Sequence, residues 1–257
     1  MRRSLALVLC LGISLLPLAG GLHVEAAGEQ AGTPEKPIWA NGATVLDLSC
    51  TSHTQTIASP DYRSSVTVVC TNHEDSDPTF ALQILAPNGH RSEMPLDQGA
   101  HELLWAPNSN SFFVNGGTSA YAGFFVSVYL IEPSTGVRKE TITGAAQKDM
   151  VSSFPPCKAW NRDENICGRI ADDPEYNMSA LAWTDDSSAV YVFAEVPCSS
   201  TYGGIMCQVL GYELSVPTGR ILKRLSARAT KEQWSKYTAW EIRIPEPPKY
   251  GPAHVTW

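Results

Sequence analysis

Two Cys-x-x-His spacings, Cys50-Thr-Ser-His53 and Cys70-Thr-Asn-His73, are the residues of this chain best suited to chemistry. Two thiolates and two imidazoles would satisfy a tetrahedral zinc ion. Each cysteine, however, closes a short apolar run, Thr44 to Leu48 and Val66 to Val69, and cysteines at the ends of neighbouring strands are natural disulfide partners. We therefore expect a Cys50–Cys70 disulfide over zinc. Cys10 lies in an N-terminal segment expected to be removed, which leaves an even set that reads as disulfides in an oxidising compartment. Local order pairs Cys157 with Cys167 and Cys198 with Cys207. Each closed loop would contribute about 3 kcal/mol through the unfolded chain.

The remaining candidates fall short of a catalytic or cofactor site. His101-Glu102-Leu103-Leu104 begins like a zinc-protease helix, but Trp105 stands where the second histidine is required and the segment reads as a strand. Gly117-Thr-Ser119-Ala-Tyr121 lacks the closing glycine of a nucleophile elbow. Calcium would suit the clustered oxygens of Glu74-Asp75-Ser76-Asp77 or of Asp163-Glu164, Asp172-Asp173 and Glu175, yet neither run has the EF-hand spacing or its glycine. Solvated loops are expected there, with no metal, no cofactor and no assigned catalytic residue. Asn177-Met178-Ser179 is a formal glycosylation sequon. Seven tryptophans invite a carbohydrate platform; Trp105 and Trp183 read as packing residues, while Trp39, Trp160, Trp234 and Trp257 stay open as surface aromatics.

Export is read from the first residues. Arg2 and Arg3 precede an apolar run from Leu5 to Leu18, too short and interrupted for a stable membrane span, and Val24-Glu25-Ala26 supplies small residues for cleavage before Ala27. The expected organisation is a signal peptide over 1–26, a flexible leader over 27–43 and a β-repeat domain over 44–257, secreted or periplasmic. A net charge of −7 argues against nucleic-acid and anionic-membrane partners. The densest basic stretch, Arg220, Lys223, Arg224, Arg228 and Lys231, lacks interleaved aromatics and reads as a solvated β-edge.

The elements that would position any site are strands. Short alternating or apolar runs, such as Phe80 to Leu85, Phe124 to Ile131 and Val190 to Val196, are separated by Gly, Pro, Asn, Asp and Ser clusters. The runs repeat: Ser59-Pro60-Asp61 and Ala106-Pro107-Asn108 lie 47 residues apart, as do Gly89 and Gly136. A third copy follows, with Ala182-Trp183-Thr184-Asp185-Asp186-Ser187 echoing Leu104 to Ser109, and Thr218-Gly219 echoing Thr135-Gly136. That copy is five residues longer, which places the excess in the loop holding Cys198 and Cys207. Each unit reads as four antiparallel strands, the size of a propeller blade.

On these residues the chain resembles the TolB-type and Trp-Asp-type β-propeller repeats, whose blades carry Trp-Ser-Pro-Asp-Gly before the second strand and a Thr-Gly turn before the last. Trp105-Ala-Pro-Asn-Ser and Trp183-Thr-Asp-Asp-Ser keep that spacing, whereas Ala58 replaces tryptophan in the first copy. The resemblance covers about residues 55–144 and 178–226 and implies an all-β, propeller-like array of four-stranded antiparallel sheets. Three repeats are visible, and a fourth would be closed by the two termini, Thr44–Ser49 beside Ala239–Ile244. A β-sandwich is the alternative. Thr230 and Gln233 make a weak capping box for a short helix. Residues 145–177 depart from the repeat as a disulfide-pinned insertion, and Trp160, Arg162, Asp163 and Glu164 are its candidate interaction surface. The functional expectation is an exported, non-enzymatic binding or scaffolding protein with a protein or glycan partner; the alternative is an extracellular hydrolase with a cleft of carboxylates.

Overall fold

A computed structural model describes residues 36–50, 54–72, 77–117, 123–132, 136–154, 163–165, 167–168 and 176–244. β-Branched and aromatic residues recur along this length, and thirteen strands form among the described residues. The first sheet is β2 (Thr56–Ala58), β3 (Ser65–Thr71), β4 (Thr79–Leu85) and β5 (Arg91–Leu96). The second is β6 (Ala100–Trp105), β7 (Ser111–Gly117), β8 (Phe124–Glu132) and β9 (Gly136–Glu140), with the two-residue β1 (Thr44–Val45) added beside β6. The third is β10 (Asn177–Trp183), β11 (Ala189–Glu195), β12 (Val209–Ser215) and β13 (Ile221–Ser226). Every pairing is antiparallel and, apart from β1 with β6, between consecutive strands, and strands of different repeats do not interleave in one sandwich.

The repeat is written in hydrogen bonds. In the turn after the first strand of each sheet, Tyr62, Ser109 and Ser187 take a left-handed backbone, with φ of 59°, 62° and 61°. Their N–H groups donate to Ser59, Ala106 and Thr184 O respectively. Asp61, Asn108 and Asp186 each turn the side-chain oxygen back onto the N–H two residues on, the Asx turn that favours these types. Successive turns are joined as well: Asp61 N donates to Ser109 Oγ, and Asn108 N to Ser187 Oγ, both at 3.1 Å. The turn before each fourth strand uses a glycine at positive φ, namely Gly89, Gly136 and Gly219. Gly219 allows nothing else, because a Cβ there would lie 2.3 Å from Ile142 O.

Packing follows the period-2 alternation of the middle sheet. Leu103, Trp105, Phe112, Val114, Tyr129 and Ile131 face the first sheet and bury against Val66, Val68, Leu82 and Ile84. Phe113, Val126 and Val128 face the third, against Ala180, Trp183, Val190, Val192 and Tyr212. Trp105 and Trp183 each end the first strand of their sheet. The Trp183 ring stacks 5.9 Å from Phe113, and its Nε1 donates to Leu104 O.

Several expectations are corrected. A fourth sheet built from Thr44–Ser49 and Ala239–Ile244 is absent among the described residues. Thr44–Val45 pairs with β6 instead, and the segments around residues 40 and 238 meet through an antiparallel bridge, Ala40 with Thr238. Trp240 and Ile242 pack as side chains on the outer face of the third sheet rather than pairing with it. The segment expected to be flexible through residue 43 is packed from about Ile38, with Trp39 3% and Ala40 0% exposed. Residues 1–35 lie outside the described residues.

The insertion opens with a helix, α1 (Gly144–Ser153), whose Ala146 and Met150 enter the core between the second and third sheets. Its Asp149 carboxylate accepts from Tyr212 Oη and Arg224 Nε, both at 2.7 Å. The second helix, α2 (Ala227–Trp234), is capped by Ser226 Oγ, which accepts from Ala229 N, so the capping residue lies four positions before Thr230. Thr230 is inside the helix and donates to Ser226 O. With Tyr237, Trp240 and Ile242, α2 covers the outer face of the third sheet: Trp234 stacks on Tyr191 at 4.9 Å, and Trp240 meets Phe193 edge-on at 4.5 Å.

Candidate functional site

An up-and-down sheet puts its first and third connections at one end and its second connection and exit at the other. The hydrogen bonds between successive turns align the three sheets, so all the short, repeating turns lie at one end. The connections of dissimilar length lie at the other: 72–78, 118–123 and 196–208 within sheets, and the three-residue 97–99 and the long 141–176 between them. This long-loop end is the candidate site, since rigid scaffolds carry variation where loops are free to differ.

A buried polar layer supports it. Glu102, third in β6 and 0% exposed, accepts from three successive backbone groups, Ile38 N at 2.7 Å, Trp39 N at 3.0 Å and Ala40 N at 2.6 Å. Three converging N–H groups make an anion-binding nest, which here clasps the chain's own carboxylate. Asn115 Nδ2 is the fourth donor, at 2.9 Å. The same amide pairs with both backbone groups of Ala180, donating to its O and accepting from its N, each at 2.8 Å. Ala180 sits at a bulge on the first strand of the third sheet, so Asn115 occupies an edge that would otherwise leave polar groups unpaired. Glu102 thereby straps the N-terminal segment across the junction of the second and third sheets. It is fully buried, and its two oxygens accept from four donors.

Gly116 and Gly117 end β7 under aromatic crowding on opposite faces. A Cβ on Gly116 would lie 2.4 Å from the Phe125 ring and 2.9 Å from His101 Nε2, and one on Gly117 would lie 3.0 Å from Phe124 and 3.1 Å from Trp39. His101 is 1% exposed; its Nδ1 sits 3.2 Å from Gly99 O, and Nε2 has no partner among the described residues. Burial pushes its pKa below the usual histidine value, opposed by the Gly99 carbonyl and Asp97 and aided by Lys139.

At the third sheet, Glu195 ends β11 beside the Cys198–Cys207 disulfide. Its Oε2 accepts from Asn177 Nδ2 at 3.3 Å, and its Oε1 lies 3.6 Å from Cys198 Sγ. Burial raises the Glu195 carboxyl above its ordinary pKa, with the Asn177 amide opposing. Tyr176 packs 6.3 Å from Tyr202 of the 196–208 loop, and burial pushes the Tyr176 hydroxyl up to about 12.

Cys50 and Cys70 are joined as a disulfide, which consumes both thiolates that zinc would need. A cleft of about 220 Å³ opens beside it, lined in part by Asp47, Thr54, Val68 and Asn72. His53 and His73 lie outside the described residues, as do Cys157, Trp160 and Arg162. Cys167 is disulfide-bonded and 7% exposed. Asp163 and Glu164 are exposed, and Asp163 accepts from Asn165 N through its side chain and from Cys167 N through its carbonyl. No group of three or more metal-ligating side chains occurs among the described residues. Trp39 and Trp234 are buried at 3% each, so neither offers a sugar-stacking platform.

Glu102 and Asn115 are the site residues that sequence reasoning missed. The available signal was an acid inside an otherwise apolar strand run, since a buried charge demands partners. No helix among the described residues is long and apolar enough to cross a membrane. Comparison with protein-family models, with curated proteins and with solved structures gives no match.

Proposed function

We propose that this chain is an exported, non-enzymatic binding or scaffolding protein: a propeller-like stack of three sheets that presents a protein or glycan partner with its long-loop end. The observation that carries this reading is the segregation of connections, repeating turns at one end and loops of dissimilar length, up to the long 196–208 and 141–176, at the other. The buried polar layer beneath those loops, with Glu102 and Asn115 fully bonded, supplies the rigidity that a preorganised surface needs. Export is supported by the Arg2-Arg3 and Leu5–Leu18 pattern and by two disulfides, which persist in oxidising compartments. The insertion, with Trp160, Arg162, Asp163 and Glu164, is the proposed contact segment, because it breaks the repeat and combines an aromatic with both charge signs.

The test is capture from extracellular and envelope material, together with a glycan panel, by the chain from Ala27 onward and by a deletion of residues 158–166. Saturable capture that the folded deletion loses is expected. Saturable capture unchanged by the deletion removes the insertion from the interface, and hydrolytic turnover of a captured glycan or peptide overturns the non-enzymatic reading.

A further inference from the structure

The two described disulfides sit in different surroundings. Cys50 and Cys70 are half-buried and pack against the core between the first and second sheets. Cys198 is exposed and Cys207 half-buried, and they close the 196–208 loop at the long-loop end. Among the described contacts, Cys70 Sγ lies 3.8 Å from an amide oxygen, Asn72 Oδ1, whereas Cys198 Sγ lies 3.6 Å from a carboxyl oxygen, Glu195 Oε1. A disulfide sulfur has no proton to donate, so a hydrogen bond here runs from the protonated Glu195 carboxyl to the sulfur. It places an acid where a departing thiolate would form. The other carboxyl oxygen is held by Asn177, itself 1% exposed and anchored by accepting from Phe124 N at 3.4 Å, so the acid is fixed in orientation.

From this geometry we propose that Cys198–Cys207 is a thiol-exchange site for a dithiol reductant, with Glu195 as the residue that exchanges a proton with Cys198. A thiolate of the dithiol attacks Cys207 Sγ, the Cys198–Cys207 bond breaks, and its electron pair goes to Cys198 Sγ, which takes the proton of the Glu195 carboxyl. The products are a mixed disulfide on Cys207, a Cys198 thiol and a Glu195 carboxylate. The dithiol's second thiol, once deprotonated, attacks its own mixed-disulfide sulfur and releases Cys207 as a thiolate. The dithiol is oxidised to its disulfide, the protein pair is reduced by two electrons, and Glu195 regains a proton from water. In reverse, the Glu195 carboxylate accepts the Cys198 proton and activates that sulfur. Burial of Glu195 favours the protonated form that the reductive direction uses. Reduction leaves the strands in place, since the pairing of β11 with β12 is complete from Ala189 to Glu195 and is continued by Val196 N donating to Gln208 O and Cys207 N to Val196 O. The inference stands on this loop alone and holds whatever the long-loop end binds.

The experiment treats the native full chain with dithiothreitol, traps free thiols with a maleimide at intervals and maps them by mass spectrometry. Labelling of Cys198 and Cys207 well before Cys50 and Cys70 is expected. Glu195→Gln, which keeps the shape and removes the proton, should slow that labelling on the order of a hundredfold, the lower end of what a positioned acid contributes. Reduction of Cys198–Cys207 no faster than Cys50–Cys70, measured on the unmutated chain, overturns the proposal. Equal rates in wild type and a folded Glu195→Gln variant overturn the role of Glu195.

Discussion

Glu102 shows how one buried charge organises a segment that composition alone would leave loose. Its carboxylate holds three backbone N–H groups of residues 38–40, so Glu102→Leu would strand them in the core. Each unsatisfied donor costs about 1–3 kcal/mol, and urea unfolding should record a loss of about 3 kcal/mol or more, with early hydrogen exchange at Trp39 and Ala40. Glu102→Gln keeps the shape and one acceptor and should lose less. His101 yields a pH prediction. Its folded pKa is depressed by burial, so between that value and about 6.5 the unfolded chain binds the proton that the folded chain refuses. The stability contributed by neutral His101 is therefore full above about pH 6.5 and is lost as pH falls through the depressed value. Asp97 and Lys139 are the charged groups acting on the ring. Unfolding free energy measured between pH 8 and pH 5, expressed as about 0.5-unit steps, should decline on the acid side, and His101→Leu should flatten that decline.

Among the elements, the turns and α2 carry separate tests. Ser109 and Ser187 accept the hydrogen bonds that join neighbouring sheets, whereas Tyr62, in the matching place on the first sheet, is 86% exposed. Ser109→Ala and Ser187→Ala should each cost about 1 kcal/mol in chemical denaturation, while Tyr62→Ala stays within about 0.5 kcal/mol. For α2 the contact point is Gly211, where a Cβ would lie 2.5 Å from Thr230 Oγ1 and 2.6 Å from the Trp234 ring. Gly211→Val should displace the helix, cost about 1–3 kcal/mol and shift tryptophan emission to the red as Trp234 meets water. The strand runs and turn positions were legible because their signals are local: Pro60, Pro107, Gly89 and Gly136 mark a period, and alternation marks the buried faces. The α2 cap was misplaced onto Thr230 because Ser226 ends a strand in the same step that it starts a helix. α1 went unread because its neighbours Pro155, Pro156 and Cys157 suggested a loop, and only two of its side chains, Ala146 and Met150, are buried.

For the whole molecule, the stack is asymmetric. The third sheet is covered by α2, Trp240 and Ile242, whereas the outer face of the first carries Thr56, Thr67 and Gln83, polar side chains suited to water. Closure by a fourth sheet was expected from the repeat arithmetic. What takes its place is long-range: a carboxylate on β6 meets N–H groups more than 60 residues earlier, and tryptophans from the C-terminal segment fill the last face. Neither contact has a period, so neither could be read from spacing. The ends of the molecule divide in the same way, with repeating turns at one and dissimilar loops at the other, and the functional reading rests on that division. It is tested most directly by blocking each end in turn. A single cysteine, Asn88→Cys in a short turn or Glu164→Cys in the insertion, is capped with a polyethylene glycol maleimide, and saturable capture of the partner held by the uncapped chain is measured. The account predicts that the cap at 164 abolishes capture while the cap at 88 leaves it intact; loss at 88 with retention at 164 would contradict it.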